Sequence, residues 1–201
     1  MIIINQSISD LTNDIIIDFA RNNNNVIVFT GNDIEDLIIE KNVQYFYGYR
    51  YNKRNNLSRL SSWIIFTFQA FFFLLKKRKE SKEILLISNP PLLYFLVLLF
   101  KKNIFYLLVY DLYPDIIKIK VKYDFFGIIK IWTFFNKSIF DKSRLIFTIG
   151  EKMKLSIANY TDVNKISVIN NWSKLYISNT KNENQLFEEQ YNFLANKFIF
   201  I

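Results

Sequence analysis

Residues 83–115 constrain this chain more than any other stretch. They read EILLISNPP, then LLYFLVLLFKKN, then IFYLLVYDLYPD. In order, these are an apolar strand, a polar-proline turn, an apolar helix, a second apolar strand and an acidic-aromatic-proline turn. Continuous apolar runs closed by polar turns mark parallel strands buried on both faces. Two such strands in one sheet require a right-handed crossover, so Asn89 and Asp111 are expected to emerge at the same carboxyl edge. Open α/β sheets bind their ligands at that edge.

The rest of the chain repeats the alternation. Strands are expected over 1–5, 26–30, 43–48, 145–150 and 166–170. Helices are expected over 14–21, from 57 to 77, over 125–140 and over 151–159, with Ser9, Asp10 or Asn13 available to cap the first. Residues 33–41 read as a short helical turn, and 116–123 as a strand, a loop or a helix start. The pattern predicts an α/β fold with a doubly wound, mostly parallel sheet over 1–171. From 172 to 197 the composition turns polar around SNTKNENQ, a linker signature, and 198–201 (FIFI) reads as the first strand of a second, missing domain.

Composition narrows the chemistry. The 201 residues include no cysteine and no histidine, which excludes disulfides, thiolate nucleophiles, Cys/His zinc sites and histidine bases. Proton transfer falls to Asp, Glu, Lys or Tyr, and no metal site is expected. A net charge of +8 favours anionic partners: a phospholipid surface, a pyrophosphate or nucleic acid. No RNA- or DNA-binding motif is present, so nucleic acid is set aside. The N-terminus MIIINQSISD has no cationic segment ahead of its short apolar run, unlike a secretory signal. The apolar runs at 63–75 and 91–100 fall short of the roughly 18 to 20 residues that a spanning helix needs.

Asp111 stands in the turn Tyr110-Asp111-Leu112-Tyr113-Pro114-Asp115, where the proline ends regular pairing. In the crevice, partial desolvation would make Asp111 a base; alternatively it caps a helix or accepts backbone N–H groups. Pro91 suits the first position of a helix, with Asn89 as its cap. Two readings also fit WIIFTFQAFFFLLKKRK. Trp63, Phe66 and the neighbouring phenylalanines beside Lys76, Lys77, Arg78 and Lys79 suit an anionic bilayer surface. They also suit core packing with a basic helix end. Residues 125–137, rich in Phe and Ile, raise the same choice.

Three quoted segments carry a family resemblance: ISNPPLLYFLVLLFKKNIFYLLVYDLYPD, LIFTIGEKMKLSI and KISVINNWS. Together they resemble the N-terminal half of bacterial GT-B glycosyltransferases of family 4, of the type that extends lipid-linked capsule, O-antigen and exopolysaccharide units. The segment NQLFEEQYNFLANKFIFI resembles that family's passage into its C-terminal domain. The resemblance implies a Rossmann-like acceptor-binding domain with Asp111 at the cleft as base or acceptor contact. Asn89, Pro90, Pro91, Tyr110, Tyr113 and Asp115 would line the neighbouring loops. It implies a polyprenyl-diphosphate-linked glycan acceptor, a nucleotide-sugar donor held by the missing domain, and a cytoplasmic protein peripheral on the inner face of the plasma membrane. The chain departs from the family in SISDLTND, which lacks the glycine-rich loop. It departs also at Tyr110, where histidine or glutamine is usual, and at Gly150 and Asn170, which replace serine and proline. Alone, such a half transfers nothing. The rival readings are a noncatalytic subunit that docks a separate donor-domain chain, and a truncated remnant.

Overall fold

The computed structural model describes residues 1–22, 25–33, 37, 40–116 and 127–169. The expected turn over 33–41 lies largely outside them, as do 117–123, the linker and the FIFI strand.

Each strand forms where an apolar run was read. They are β1 (Ile2–Asn5), β2 (Val26–Thr30), β3 (Val43–Tyr47), β4 (Glu83–Ile87), β5 (Ile104–Val109), β6 (Leu145–Thr148) and β7 (Ile166–Val168). All pair in parallel, in the order β3-β2-β1-β4-β5-β6-β7. This is a Rossmann-like doubly wound sheet. The chain winds outward from β1 to β3, returns past β1 to β4, and winds outward the other way. The switch point therefore lies between β1 and β4.

The pleat divides each central strand between two cores. Ile2, Ile4, Phe29, Ile84, Leu86 and Leu107 enter one, and Ile3, Val28, Leu85, Ile87 and Leu108 the other. Helix α1 (Asp10–Arg21) covers the second core with Ile15, Ile16 and Ala20. It begins four residues before the expected start, with Ser9 as its N-cap. The first core is covered by α2 (Asn56–Lys77), the Pro91–Phe95 3-10 turn that runs on into α3 (Leu96–Leu99), α4 (Ile128–Lys142) and α5 (Glu151–Ala158).

Helix α2 begins where the Asn55 side chain accepts from the Ser58 N–H at 2.8 Å. Its 22 residues contain no glycine or proline and give a rod about 33 Å long. It is longer than the apolar run read from the sequence. Among the described residues it is the one helix long and apolar enough to cross a membrane. Here it serves as a crossover: Phe66, Ala70, Phe73 and Leu74 are buried against the sheet, and the helix carries the chain from β3 at the sheet's edge, past β2 and β1, to β4. The Phe66 ring lies 5.0 Å from Phe29, and Phe73 stacks on Phe29 at 4.7 Å. Phe66 is thus a core residue, which corrects its assignment to a membrane surface. Lys77 is also engaged, paired with Glu80 and lying over the Phe46 ring.

Candidate functional site

Among the described residues, two of the hollows along the sheet reach opposite ends of its strands. The larger, about 550 Å³, is walled by Ile15, Phe19, Leu108 and Phe147 and reaches the amino ends of β1 and β4 at Met1 and Glu83. The smaller, about 360 Å³, opens at the carboxyl ends of β1, β4 and β5, at the switch point. Ligands of this sheet class bind there, and its lining is polar and aromatic, so it is the candidate site.

Five segments build this cleft. The loop after β1 and the first turn of α1 contribute Ser7, Ser9 and Thr12, and the stretch between β3 and α2 contributes Tyr51 and Lys53. Trp63 comes from the second turn of α2. The ends of β4 and β5 supply Ser88, Asn89 and Pro91, then Tyr110, Asp111 and Tyr113.

Gln6 holds these segments in register. Fully buried at the end of β1, its side-chain amide donates to the Tyr49 carbonyl at 3.0 Å and the Ser62 carbonyl at 2.9 Å. Its backbone N–H donates to the Asn89 carbonyl at 2.8 Å, and its own carbonyl accepts from Gly31 at 3.1 Å. One residue thereby ties β1 to the β3 exit, to α2 and to the β4 turn. The approach at Gly31 is close enough to require glycine: a Cβ there would stand 2.6 Å from the Tyr49 oxygen and 2.8 Å from the Gln6 oxygen. Asn5 and Asn32 fold the β1 loop. The Asn5 carboxamide oxygen accepts from the Ser7 N–H at 3.1 Å, and that of Asn32 accepts from Ile8 at 2.6 Å.

Aromatic rings form one wall. Tyr51 stacks on Trp63 at 6.4 Å, Trp63 meets the edge of Tyr113 at 5.8 Å, and Tyr113 stacks on Trp132 at 5.9 Å. The Trp63 indole N–H and the Tyr110 hydroxyl are buried and without a hydrogen-bond partner among the described residues. An unmet buried donor costs about 1–3 kcal/mol, a cost that an acceptor oxygen reaching it would remove. Burial pushes the Tyr110 phenol up, and burial followed by the charge of Asp111 does the same for Tyr113. Both therefore serve as neutral donors at ordinary pH. Asp111 itself is solvent-exposed at the rim of the cleft rather than enclosed in the crevice.

Of the residues singled out in the sequence, the cleft brings together Asn89, Pro91, Tyr110, Asp111 and Tyr113. Pro90 is buried beneath the turn and does not line it. Asp115 faces away from it: its carboxylate accepts from the Tyr160 hydroxyl at 2.7 Å. Trp63, read as a membrane residue, lines the cleft instead, while Lys76 and Lys79 are exposed at the far end of α2. Tyr51, Lys53, Ser7 and Ser88 were not anticipated. The signal for Tyr51 and Lys53 was the basic-aromatic run YRYNKRNN directly after β3, which leads away from the carboxyl edge. Among the described residues no cluster of acidic side chains could hold a metal ion.

Several phenols titrate above their ordinary value. Tyr94, wholly buried with its hydroxyl donating to the Leu108 carbonyl at 2.8 Å, is raised chiefly by burial. Tyr160 is raised by burial and then by its bond to Asp115. A group held above its unfolded value keeps its full contribution below that value and loses it as pH rises through the folded one. With unfolded tyrosine near 10, the contribution of these phenols to the urea midpoint should be unchanged from pH 7 to 9. It should then fall steadily above about pH 10, and Tyr94→Phe should make that fall shallower.

No protein-family model and no curated protein sequence matches the chain. Among solved structures it is similar to the crystal structure of Anabaena Alr3699/HepE in complex with UDP and glucose, with a TM-score of 0.56 and 9% sequence identity. The match covers 95% of this chain and 49% of that one. The likeness is one of fold, and the chain spans about half the length of that protein.

Proposed function

We propose that this chain is the acceptor-side domain of a GT-B glycosyltransferase, which holds a sugar acceptor at the switch-point cleft while a separate domain presents the nucleotide-sugar donor. The observation that carries this reading is the cleft itself: aromatic faces beside unpartnered donors, with one exposed carboxylate at the rim. The C–H face of a sugar ring packs on aromatic rings, and its hydroxyls need directional partners. The fold shared with a protein that holds UDP and glucose supports the same reading.

In this mechanism the acceptor hydroxyl oxygen bonds to the sugar's anomeric carbon as the bond from that carbon to the diphosphate oxygen breaks. Asp111 takes the hydroxyl proton, and the nucleoside diphosphate departs on the donor side. The resemblance to family 4 supports a polyprenyl-diphosphate-linked glycan as the acceptor, of the capsule or O-antigen type, met at the cytoplasmic face of the membrane.

A short-chain prenyl-diphosphate-linked sugar should bind the chain in calorimetric titration, and Trp63→Ala should weaken that binding about tenfold or more, as expected for loss of a buried aromatic contact. Binding that Trp63→Ala leaves unchanged would place the acceptor elsewhere.

A further inference from the structure

Helix α2 carries two apolar faces back to back. Phe66, Ala70 and Phe73 are turned to the sheet. A second stripe, Leu57, Leu60, Ile64, Phe68, Phe72 and Leu75, is exposed along the whole helix. Its spacing of three, four, four, four and three residues is one helical face, two residues out of step with the buried one and so on the opposite side. Phe68 is 63% exposed and Phe72 57%.

The stripe does not stand alone. Helices α2 and α4 both pack against the 91–99 segment, forming one layer over the sheet. That segment exposes Leu99 (61%), and α4 exposes Ile131 and Phe134 (67%). Soluble surfaces scatter single apolar residues, whereas a run of large ones across three adjacent elements marks a docking surface.

Charge identifies what docks. Residues 51–79, 91–110 and 127–140, which supply this layer and its flanks, hold eleven lysines and arginines, against three acids that directly follow them, Glu80, Asp111 and Asp141. A second copy would set the same cationic face against itself, which is repulsive. An anionic surface with an apolar interior satisfies both features: phenylalanines enter the acyl boundary and the flanking lysines and arginines meet headgroups. We infer that the outer face of α2, α3 and α4 docks on an anionic lipid bilayer, with α2 lying in the plane of the interface. The membrane-facing residues are then Phe68, Phe72, Leu75, Leu99 and Phe134, with Lys76 and Lys79 at the headgroups; Trp63 and Phe66 take no part. The N-terminal end of α2, with Trp63, stands at the cleft, so docking sets the cleft near headgroup level. That last step rests on the proposed function; the docking does not.

The test uses the whole chain and no sugar, so its failure is separate from failure of the transferase reading. The chain should float with vesicles of phosphatidylcholine mixed with phosphatidylglycerol, float less at high salt, and fail to float with phosphatidylcholine alone. The double variant Phe68→Ser/Phe72→Ser should lower partitioning about 10- to 100-fold, the loss expected for two exposed rings, with its circular dichroism and melting temperature retained. Lys76→Glu/Lys79→Glu, which leaves the apolar stripe intact, should also weaken flotation on the anionic vesicles. Absence of flotation with either vesicle overturns the inference. Flotation that neither variant changes overturns it too, as does a lipid-free dimer in sedimentation that the phenylalanine variant dissolves.

Discussion

Asp111→Asn is expected to lower the rate of sugar transfer by about 10²- to 10⁴-fold when the chain acts together with a donor-binding half, the range for loss of a positioned base. The substitution keeps the shape of the side chain and an acceptor oxygen but cannot take up a proton. Acceptor affinity should therefore change far less than turnover, since Trp63, Tyr113 and Asn89 remain in place around the cleft. Asp111 is exposed, so stability should stay within about 0.5 kcal/mol of the parent, as for most surface changes. Two readouts separate base from orienting group: initial rate at saturating acceptor, and acceptor affinity by calorimetry. A large fall in affinity with turnover preserved would make Asp111 a binding contact only. The charge of Asp111 also raises the Tyr113 phenol, so in the variant Tyr113 should titrate at lower pH.

Much of this architecture is legible from residue order. The short apolar runs at β1, β2, β4 and β5, closed by polar turns, read as strands buried on both sides, and the turns after β4 and β5 carry Asn89 and Asp111 to one edge. Half of the cleft is not legible, and the reason is topological. Tyr51, Lys53 and Trp63 reach the site because the strand order seats β1 beside β4. Gln6 then draws the β3 exit and α2 inward through the Tyr49 and Ser62 carbonyls. No local pattern encodes which strands become neighbours across some 80 residues of chain. Asp115 shows the converse. It sits in the same turn as Asp111, yet Tyr160, 45 residues onward, claims its carboxylate. A carboxylate in the right turn is a candidate, and its partner decides its role.

Helix α2 tests that boundary most sharply, because an all-apolar helix conceals which of its faces is inside. Phe66 and Phe68 are chemically identical and two residues apart, but Phe66 is 0% exposed and Phe68 lies on the outer stripe. The Phe66 pocket is tight: a Cβ built at Gly48 would stand 3.0 Å from its ring and 2.7 Å from that of Phe29, whose centroid lies 5.0 Å from Phe66. Phe66→Ala should thus cost about 3–5 kcal/mol, the range for a large ring removed from a core that cannot collapse around the loss. That corresponds to a fall in melting temperature of roughly 10 °C for a domain of this size. Phe68→Ala should move stability by no more than about 0.5 kcal/mol. Equal costs at the two positions would mean that α2 is rotated or enclosed on both sides, and the exposed stripe would then be core. The expected asymmetry would instead show that one helix spends one apolar face on folding the sheet and keeps the other free for a surface outside the protein.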